Sequence, residues 1–214
     1  MAIVRRTVLY GSRGAGSAVA ELALERAGVA YELRRASRWE SDSAFDELLT
    51  INPMGQIPTL VLPDGSVLTE SAAILIHLGL VHPESGLLPA SATARAQTLR
   101  GLAYIAANCY ALITACDYPE RYMDGGDEAA HQAIRSAARR QLHAAWDGFA
   151  DQFQGSPFLG GAAPGALDMM AVVVSRWSGT RAHLKKARPD FSQLLTRIEN
   201  HERVASVMSR NFDA

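Results

Sequence analysis

The spacing of hydrophobic and polar positions divides the chain into two parts. Over roughly the first 80 residues, short β-favouring runs alternate with stretches of helical spacing, beginning with the run Thr7–Gly11 and an apolar stripe over residues 17–27. Gly28 is placed to end that helix, and Pro63, Asp64 and Gly65 lie between two apolar runs as in a hairpin turn. The predicted order is β-α-β-α-β-β-α, which is typical of a mixed sheet with helices on its faces.

Beyond residue 90 every periodic segment is helical. Residues 91–116 contain no proline and only Gly101 as a glycine, so they predict one long helix. Shorter helices are predicted over 166–176, 191–200 and 203–211. A long helix over 128–153 places six apolar side chains on one face: Ile134, Ala138, Leu142, Ala145, Phe149 and Phe153. The sequence therefore predicts an α/β domain over residues 1–84 and an all-α domain over residues 91–214.

Composition and charge exclude several classes of protein. Hydrophobic residues make up 48% of the chain, and 21 basic residues face 22 acidic ones, which gives no electrostatic reason to expect a nucleic acid or a membrane as partner. The two cysteines cannot form a disulfide framework, and no Cys/His cluster has the spacing of a metal site. The apolar stretches of residues 1–12 are too short for a signal peptide or a membrane span, so we expect a soluble, cytoplasmic protein.

The most specific stretch is NPMGQIPTL, residues 52–60. Pro58 opens a predicted strand after the β-branched Ile57, a favourable position for a cis peptide bond. Such a bond would turn the backbone of Ile57 outward, where its N–H and C=O could pair with an extended peptide ligand. The alternative is that Pro58 only marks the edge of the sheet.

A second polar pair, Glu70 and Ser71, lies where a strand becomes a helix. The free N–H groups and the partial positive charge of a helix N-terminus bind carboxylates. Ser71 adds a hydroxyl donor, and Glu70 offers a carboxylate to an ammonium group. Together they complement the head group of a free amino acid. The alternative is that Thr69 or Ser71 is only the N-cap of the helix.

These two motifs together resemble those of the cytosolic glutathione transferases. The resemblance covers the whole chain and implies a thioredoxin-like N-terminal domain followed by an all-α helical domain. It also implies that Ile57 pairs with the cysteinyl part of glutathione and that Glu70 and Ser71 hold its γ-glutamyl end. The predicted glutathione-binding residues are Arg13, Gln56, Ile57, Pro58, Glu70 and Ser71.

The family's helical domain begins a central helix with a Ser-x-x-Asp capping box, to which residues 165–168 correspond. Asp168 matches this pattern, whereas Gly165 replaces the serine. We expect Asp168 to accept hydrogen bonds from backbone N–H groups at that helix start, and the helix to be slightly less stable without the serine.

The residue that activates the glutathione thiol is less clearly marked. The loop YGSRGAGS, residues 10–17, resembles that of bacterial beta-type members, whose reactive cysteine then falls on Gly16. A mixed disulfide at this position is therefore excluded. Ser12 is the first candidate for thiol activation and Ser17 the second, while Tyr10 is expected to face the core. Arg13 either stabilises the thiolate or is a solvated loop charge.

Further predictions concern the helical domain. Cys109 and Cys116 are seven residues apart, share a helix face, and are expected to be buried structural thiols. The helix that contains them lines the electrophile pocket in the resembled family. The candidates for such a pocket are Tyr104, Asn108, Ala111 and Trp177.

The resemblance implies a glutathione transferase that uses glutathione as co-substrate, attacks a small hydrophobic electrophile and forms a homodimer. One alternative is a glutathione-dependent isomerase of a cis-enone acid, which would use the same site. Another is a non-catalytic binding protein with the glutathione transferase fold. The intact set Ile57, Pro58, Glu70 and Ser71 argues against the latter, because a scaffold has no physical need for it.

Overall fold

Strands and helices alternate up to residue 81 in the computed structural model, which describes residues 6–123 and 125–213. The elements of this part are β1 (Thr7–Gly11), α1 (Ser17–Arg26), β2 (Tyr31–Arg35), α2 (Phe45–Ile51), β3 (Thr59–Val61), β4 (Val67–Thr69) and α3 (Ser71–Val81). They follow the predicted order. Residues 1–5, which belong to the segment 1–12 considered in the sequence analysis, lie outside the described residues.

The four strands form one mixed sheet in the order β2-β1-β3-β4. β1 pairs with β2 in parallel and with β3 antiparallel, with Leu9 opposite Leu60. β3 and β4 form the predicted hairpin, in which Gly65 has a φ of 89° and the Leu62 N–H donates to the Ser66 carbonyl at 2.9 Å. The predicted α/β class of this domain is therefore confirmed, and its topology is thioredoxin-like.

The rest of the described chain is helical. Its long elements are α4 (Ala92–Tyr104), a π turn (Ile105–Tyr110), α5 (Ala111–Asp117), α6 (Glu128–Gln152), α7 (Ala166–Val174), α8 (Thr180–Ala187), α9 (Pro189–Glu199) and α10 (Glu202–Phe212). Short 3₁₀ turns occur at Pro83–Ser85 and Pro119–Arg121. The all-α class is confirmed, although the sequence pattern identified neither the π turn nor α8.

The segment Ala92–Asp117, which joins α4, the π turn and α5, is predicted as a single helix by its composition. Its 26 residues are also long and apolar enough to meet the length and composition criteria for a membrane span. In this fold the segment packs against α6 and α7 of the helical domain. Its apolar side chains Leu102 and Ile105 are fully buried there.

A single apolar core joins the two domains. Val19 of α1 and Leu75 of α3 belong to the same buried cluster as Met169 of α7 and Trp146 of α6. Trp146 is fully buried although it lies outside the apolar stripe that the spacing of α6 predicts. Because the domains share this core, side chains of the helical domain are held in fixed positions against the first domain.

The start of α7 shows how the domains are tied together at their linker. Asp168 is fully buried and accepts hydrogen bonds from the N–H groups of Leu159 (2.8 Å), Gly160 (2.7 Å) and Gly165 (2.9 Å), as predicted. Burial raises the pKa of Asp168 to about 6, against the opposing effect of these donors. A Cβ atom at Gly165 would lie 3.1 Å from the Leu87 carbonyl oxygen, so the close approach of the linker accounts for the glycine.

Candidate functional site

The main chain at Ile57 provides the first part of the site. The peptide bond between Ile57 and Pro58 is cis, as predicted. The carbonyl of Gln56 accepts from the Thr59 hydroxyl at 2.8 Å and from the Asn52 side-chain amide at 3.3 Å. Within residues 6–123 and 125–213, no group forms a hydrogen bond with the N–H or the C=O of Ile57. These two groups are therefore available to an extended peptide ligand.

The N-terminus of α3 provides the second part. Glu70 is the N-cap residue, with φ 65° and ψ 114°, and its exposed side chain makes no capping bond. Ser71 is the first residue of the helix, and its hydroxyl donates to the Gly16 carbonyl at 3.4 Å. The first-turn N–H groups and the positive end of the helix dipole therefore lie beside a free carboxylate, a combination that fits both charges of an amino acid head group.

The two serines predicted to activate a thiol use their hydroxyls within the first domain. Ser17 is fully buried, and its Oγ accepts from the Ser12 N–H at 3.0 Å and donates to the Ser12 carbonyl at 3.1 Å. The Ser12 hydroxyl donates to Glu40 Oε1 at 2.8 Å and lies 3.3 Å from the Ser37 Oγ. A catalytic role of either serine stays a prediction, and these hydrogen bonds do not favour it.

Arg13 lies at the C-terminal end of α10, and its predicted role in binding glutathione stays a prediction. Its guanidinium donates to the carbonyl of Asp213 at 2.8 Å, at the end of α10. A cation is stabilised at a helix C-terminus by the negative end of the dipole, which explains this position. Tyr10 faces the core as predicted: it is 2% exposed, and its hydroxyl donates to Glu47 at 2.7 Å. Gln56 is exposed beside Ile57, and its role stays a prediction.

Tyr110, at the end of the π turn, is a site residue that the sequence prediction missed. A Cβ atom placed on Gly16 would overlap the Tyr110 hydroxyl oxygen and lie 3.2 Å from its ring carbon Cζ. The Tyr110 ring also packs on Trp177, with ring centroids 5.7 Å apart. The helical domain therefore places a phenol against the first turn of α1, where Gly16 leaves space for it.

The other pocket candidates lie in different environments. Tyr104 points into the helical core, because its hydroxyl donates to the Ala145 carbonyl at 3.0 Å and its ring packs on Phe149 and Phe153. These contacts do not favour its predicted place in an electrophile pocket. Asn108 and Ala111 are exposed.

Burial raises the pKa of the Tyr110 phenol and of both cysteine thiols in the helical domain. Burial, with a smaller contribution from the Glu70 carboxylate, raises the pKa of Tyr110 to about 12. Burial also raises the pKa of Cys109 to about 12 and that of Cys116 above its ordinary value. Both cysteines are buried, as predicted. Among the residues that the structure describes, no cluster of His, Cys, Asp and Glu side chains could hold a metal ion.

The fold and the candidate site define a class of protein: a thioredoxin-like domain joined to an all-helical domain, with free main-chain groups at Ile57 and an uncapped carboxylate, Glu70, at the N-terminus of α3. Comparison with known proteins specifies the family. A sequence model of the glutathione S-transferase N-terminal domain matches residues 17–80. The probable glutathione S-transferase BZ2 of Zea mays is 35% identical over 172 residues, which cover 76% of this chain and 70% of that protein. The chain belongs to the glutathione S-transferase family.

The chain is also similar to a second curated protein and to a solved structure. The uncharacterized GST-like protein YncG of Escherichia coli K12 is 37% identical over 122 residues, and this match spans 56% of the chain and 58% of YncG. A glutathione transferase homologue from Sulfitobacter, solved with bound glutathione, has the same fold with a TM-score of 0.83. That alignment covers 96% of this chain and 98% of the Sulfitobacter protein at 23% identity.

Proposed function

We propose that the protein is a glutathione transferase, which binds glutathione as co-substrate and adds its thiolate to a small hydrophobic electrophile. The observation that supports this proposal most directly is the presence of two binding features in the first domain. Ile57 offers a free main-chain N–H and C=O. Glu70 offers a carboxylate, and Ser71 begins α3, whose N-terminus carries a partial positive charge. An extended tripeptide with a γ-glutamyl end matches both features.

The proposed chemistry needs a thiolate near neutral pH. An ordinary thiol has a pKa near 8.5, so only a few per cent is ionised at pH 7. The thiol proton leaves to solvent, and the sulfur lone pair then forms a carbon–sulfur bond to the electrophile, either by displacing a leaving group or by adding to an activated double bond. Lowering the thiol pKa by two units takes about 2.7 kcal/mol of selective thiolate stabilisation.

The proposal assigns separate tasks to the two domains. Residues 1–84 would bind glutathione, and residues 91–214 would contribute the electrophile pocket, with Trp177 beside the site. A homodimer, a cytoplasmic location and a role in detoxification are part of the same proposal, by analogy with the family. Neither a nucleic acid nor a membrane is proposed as partner.

Two other functions would use the same site. A glutathione-dependent isomerase of a cis-enone acid would also need bound thiolate, but would release glutathione unchanged. A binding protein would hold glutathione without lowering the pKa of its thiol. Product analysis with a cis-enone acid and with an aryl halide separates the first function from conjugation, and titration of the bound thiol separates the second.

Isothermal calorimetry with glutathione tests the proposal. Glu70→Gln and Ser71→Ala should each weaken binding by about 1 to 3 kcal/mol, because each removes a charge-assisted or charged contact to the amino acid end. Glu84→Gln and Ser66→Ala are matched controls: Glu84 lies in the turn after α3 and Ser66 in the β3–β4 hairpin, and both should bind like the wild type. Wild-type affinity in both site variants would contradict the proposed mode of binding.

A further inference from the structure

The hydroxyl of Tyr110 lies at the meeting point of two helix N-termini. Gly16 is the N-cap residue of α1, and the Tyr110 oxygen takes up the space of a side chain at that position. The Gly16 carbonyl accepts from the Ser71 hydroxyl at the start of α3. The nearby Glu70 carboxylate contributes to the raised pKa of Tyr110. The phenol is therefore held against Gly16, whose carbonyl binds Ser71, one of the residues that the proposed function assigns to glutathione.

The π turn explains why a residue of the helical domain reaches this place. A π turn contains one residue more than an α turn, so the residues after it are rotated by about 100° relative to a regular helix. Tyr104 precedes the turn and points into the helical core, whereas Tyr110 ends it and points at α1. Such turns occur frequently at functional sites.

The hydroxyls around the site differ in whether they are already in use. Those of Tyr10, Ser12, Ser17 and Tyr104 all donate to protein acceptors, at 2.7 to 3.1 Å. In the described part of the chain, no protein group forms a hydrogen bond with the Tyr110 hydroxyl. A phenol O–H at this position therefore has its hydrogen-bonding capacity available for a ligand.

We propose that Tyr110 is a catalytic residue whose hydroxyl donates a hydrogen bond to the glutathione sulfur and stabilises the thiolate. This inference rests on the proposed function. It also gives Gly16 a role, because any larger residue there would displace the phenol. Tyr110 acts as a donor and not as a base, since its raised pKa of about 12 keeps it protonated at neutral pH. The proton of the thiol leaves to solvent.

The test follows the ultraviolet absorbance of the thiolate in bound glutathione as a function of pH. Tyr110→Phe should raise the pKa of the bound thiol by about one to two units, the range for losing a hydrogen bond to a charged acceptor. Conjugation at pH 7 should slow about tenfold or more. Tyr104→Phe is the matched control, because the same atom is removed from the same helical segment where its hydroxyl binds the Ala145 carbonyl. Its bound thiol should titrate like the wild type.

A double-mutant cycle tests the link with Gly16. Gly16 has an ordinary helical φ of −62°, which alanine also adopts. The methyl group that Gly16→Ala adds therefore acts through its overlap with Tyr110 and not through backbone strain. It should raise the thiol pKa by an amount similar to that of Tyr110→Phe. The double variant should show little further change, because both substitutions remove the same hydrogen bond. Additive shifts would overturn this part of the inference.

A glutathione analogue with a methyl group in place of the thiol separates the possible outcomes. Tyr110→Phe should bind the analogue as the wild type does, which shows that its fold and the Glu70–Ser71 contacts are intact. If the wild type binds neither glutathione nor the analogue, the proposed function fails. If the wild type binds glutathione and the Tyr110→Phe titration overlays it, the proposed function stands and the role of Tyr110 is refuted.

Discussion

The thioredoxin-like domain and the helical domain offer different groups to a ligand. The first leaves main-chain and helix-end groups free at Ile57, Glu70 and Ser71, and uses its loop hydroxyls internally. The second buries both of its cysteines and brings the phenol of Tyr110 into contact with the first domain at Gly16. Recognition of the ligand and activation of its thiol are therefore assigned to different domains. In this proposal the shared core is needed for catalysis, because it fixes the position of Tyr110 relative to the first domain.

From this difference between the two domains we predict that Asp168, deep in the helical domain, contributes to stability and not to glutathione binding. Asp168→Ala would leave three N–H groups without their acceptor: the partly buried groups of Leu159 and Gly160 and the buried group of Gly165. Each such group costs about 1 to 3 kcal/mol, so we expect the free energy of unfolding to fall by about 3 kcal/mol or more. Chemical denaturation measures this change.

The same variant separates stability from binding. At a temperature where the variant is folded, its affinity for glutathione should equal that of the wild type, because the hydrogen bonds of Asp168 go to Leu159, Gly160 and Gly165 and not to the site residues. A selective loss of affinity in folded protein would show that the helical domain also shapes the recognition site.

Much of the first domain can be predicted from local sequence because its signals are local. The hairpin follows from Pro63, Asp64 and Gly65, and the position of the site follows from Glu70 and Ser71 at a strand–helix junction. Side chains that serve the site from a distance have no such signal. The position of Tyr110 depends on the π turn that it ends and on the absence of a side chain at Gly16, 94 residues earlier. Neither spacing nor composition shows that Tyr110 and Gly16 are in contact.

The hydroxyls of the loop over residues 10–17 show a second limit of prediction from sequence. Their residue type fits thiol activation, but hydrogen bonds decide whether a hydroxyl is free, and the partners of Ser12 lie 25 and 28 residues away, at Ser37 and Glu40. The same limit applies to Arg13, whose acceptor at Asp213 is 200 residues away. Residue type and spacing therefore identify the loop without identifying what its side chains do.

A smaller effect is predicted for the loop serines. Ser17→Ala removes the acceptor of the buried Ser12 N–H and should lower the free energy of unfolding by about 1 to 2 kcal/mol. Ser12→Ala should cost about 1 kcal/mol, through loss of its hydrogen bond to Glu40. Neither substitution should move the pH titration of bound glutathione. If Ser12→Ala shifts the pKa of the bound thiol and Tyr110→Phe does not, the loop of the first domain activates the thiol and the helical domain does not.

The smallest effect is expected from the two cysteines, which test whether the helical domain has a second reactive group. Cys109 is fully buried and its pKa is raised to about 12, so almost none of it is thiolate at neutral pH. Cys116 is also buried with a raised pKa, and its sulfur lies 3.9 Å from the Arg135 carbonyl in a small cluster with Ala115 and Ala138. The double variant Cys109→Ala/Cys116→Ala should therefore conjugate glutathione at the wild-type rate per folded molecule, with a modest loss of stability from the space left in the core. The rate is measured beside Tyr110→Phe under the same conditions. A dead double-cysteine variant that still binds glutathione, together with an active Tyr110→Phe, would show that thiol chemistry and not the phenol sustains the reaction.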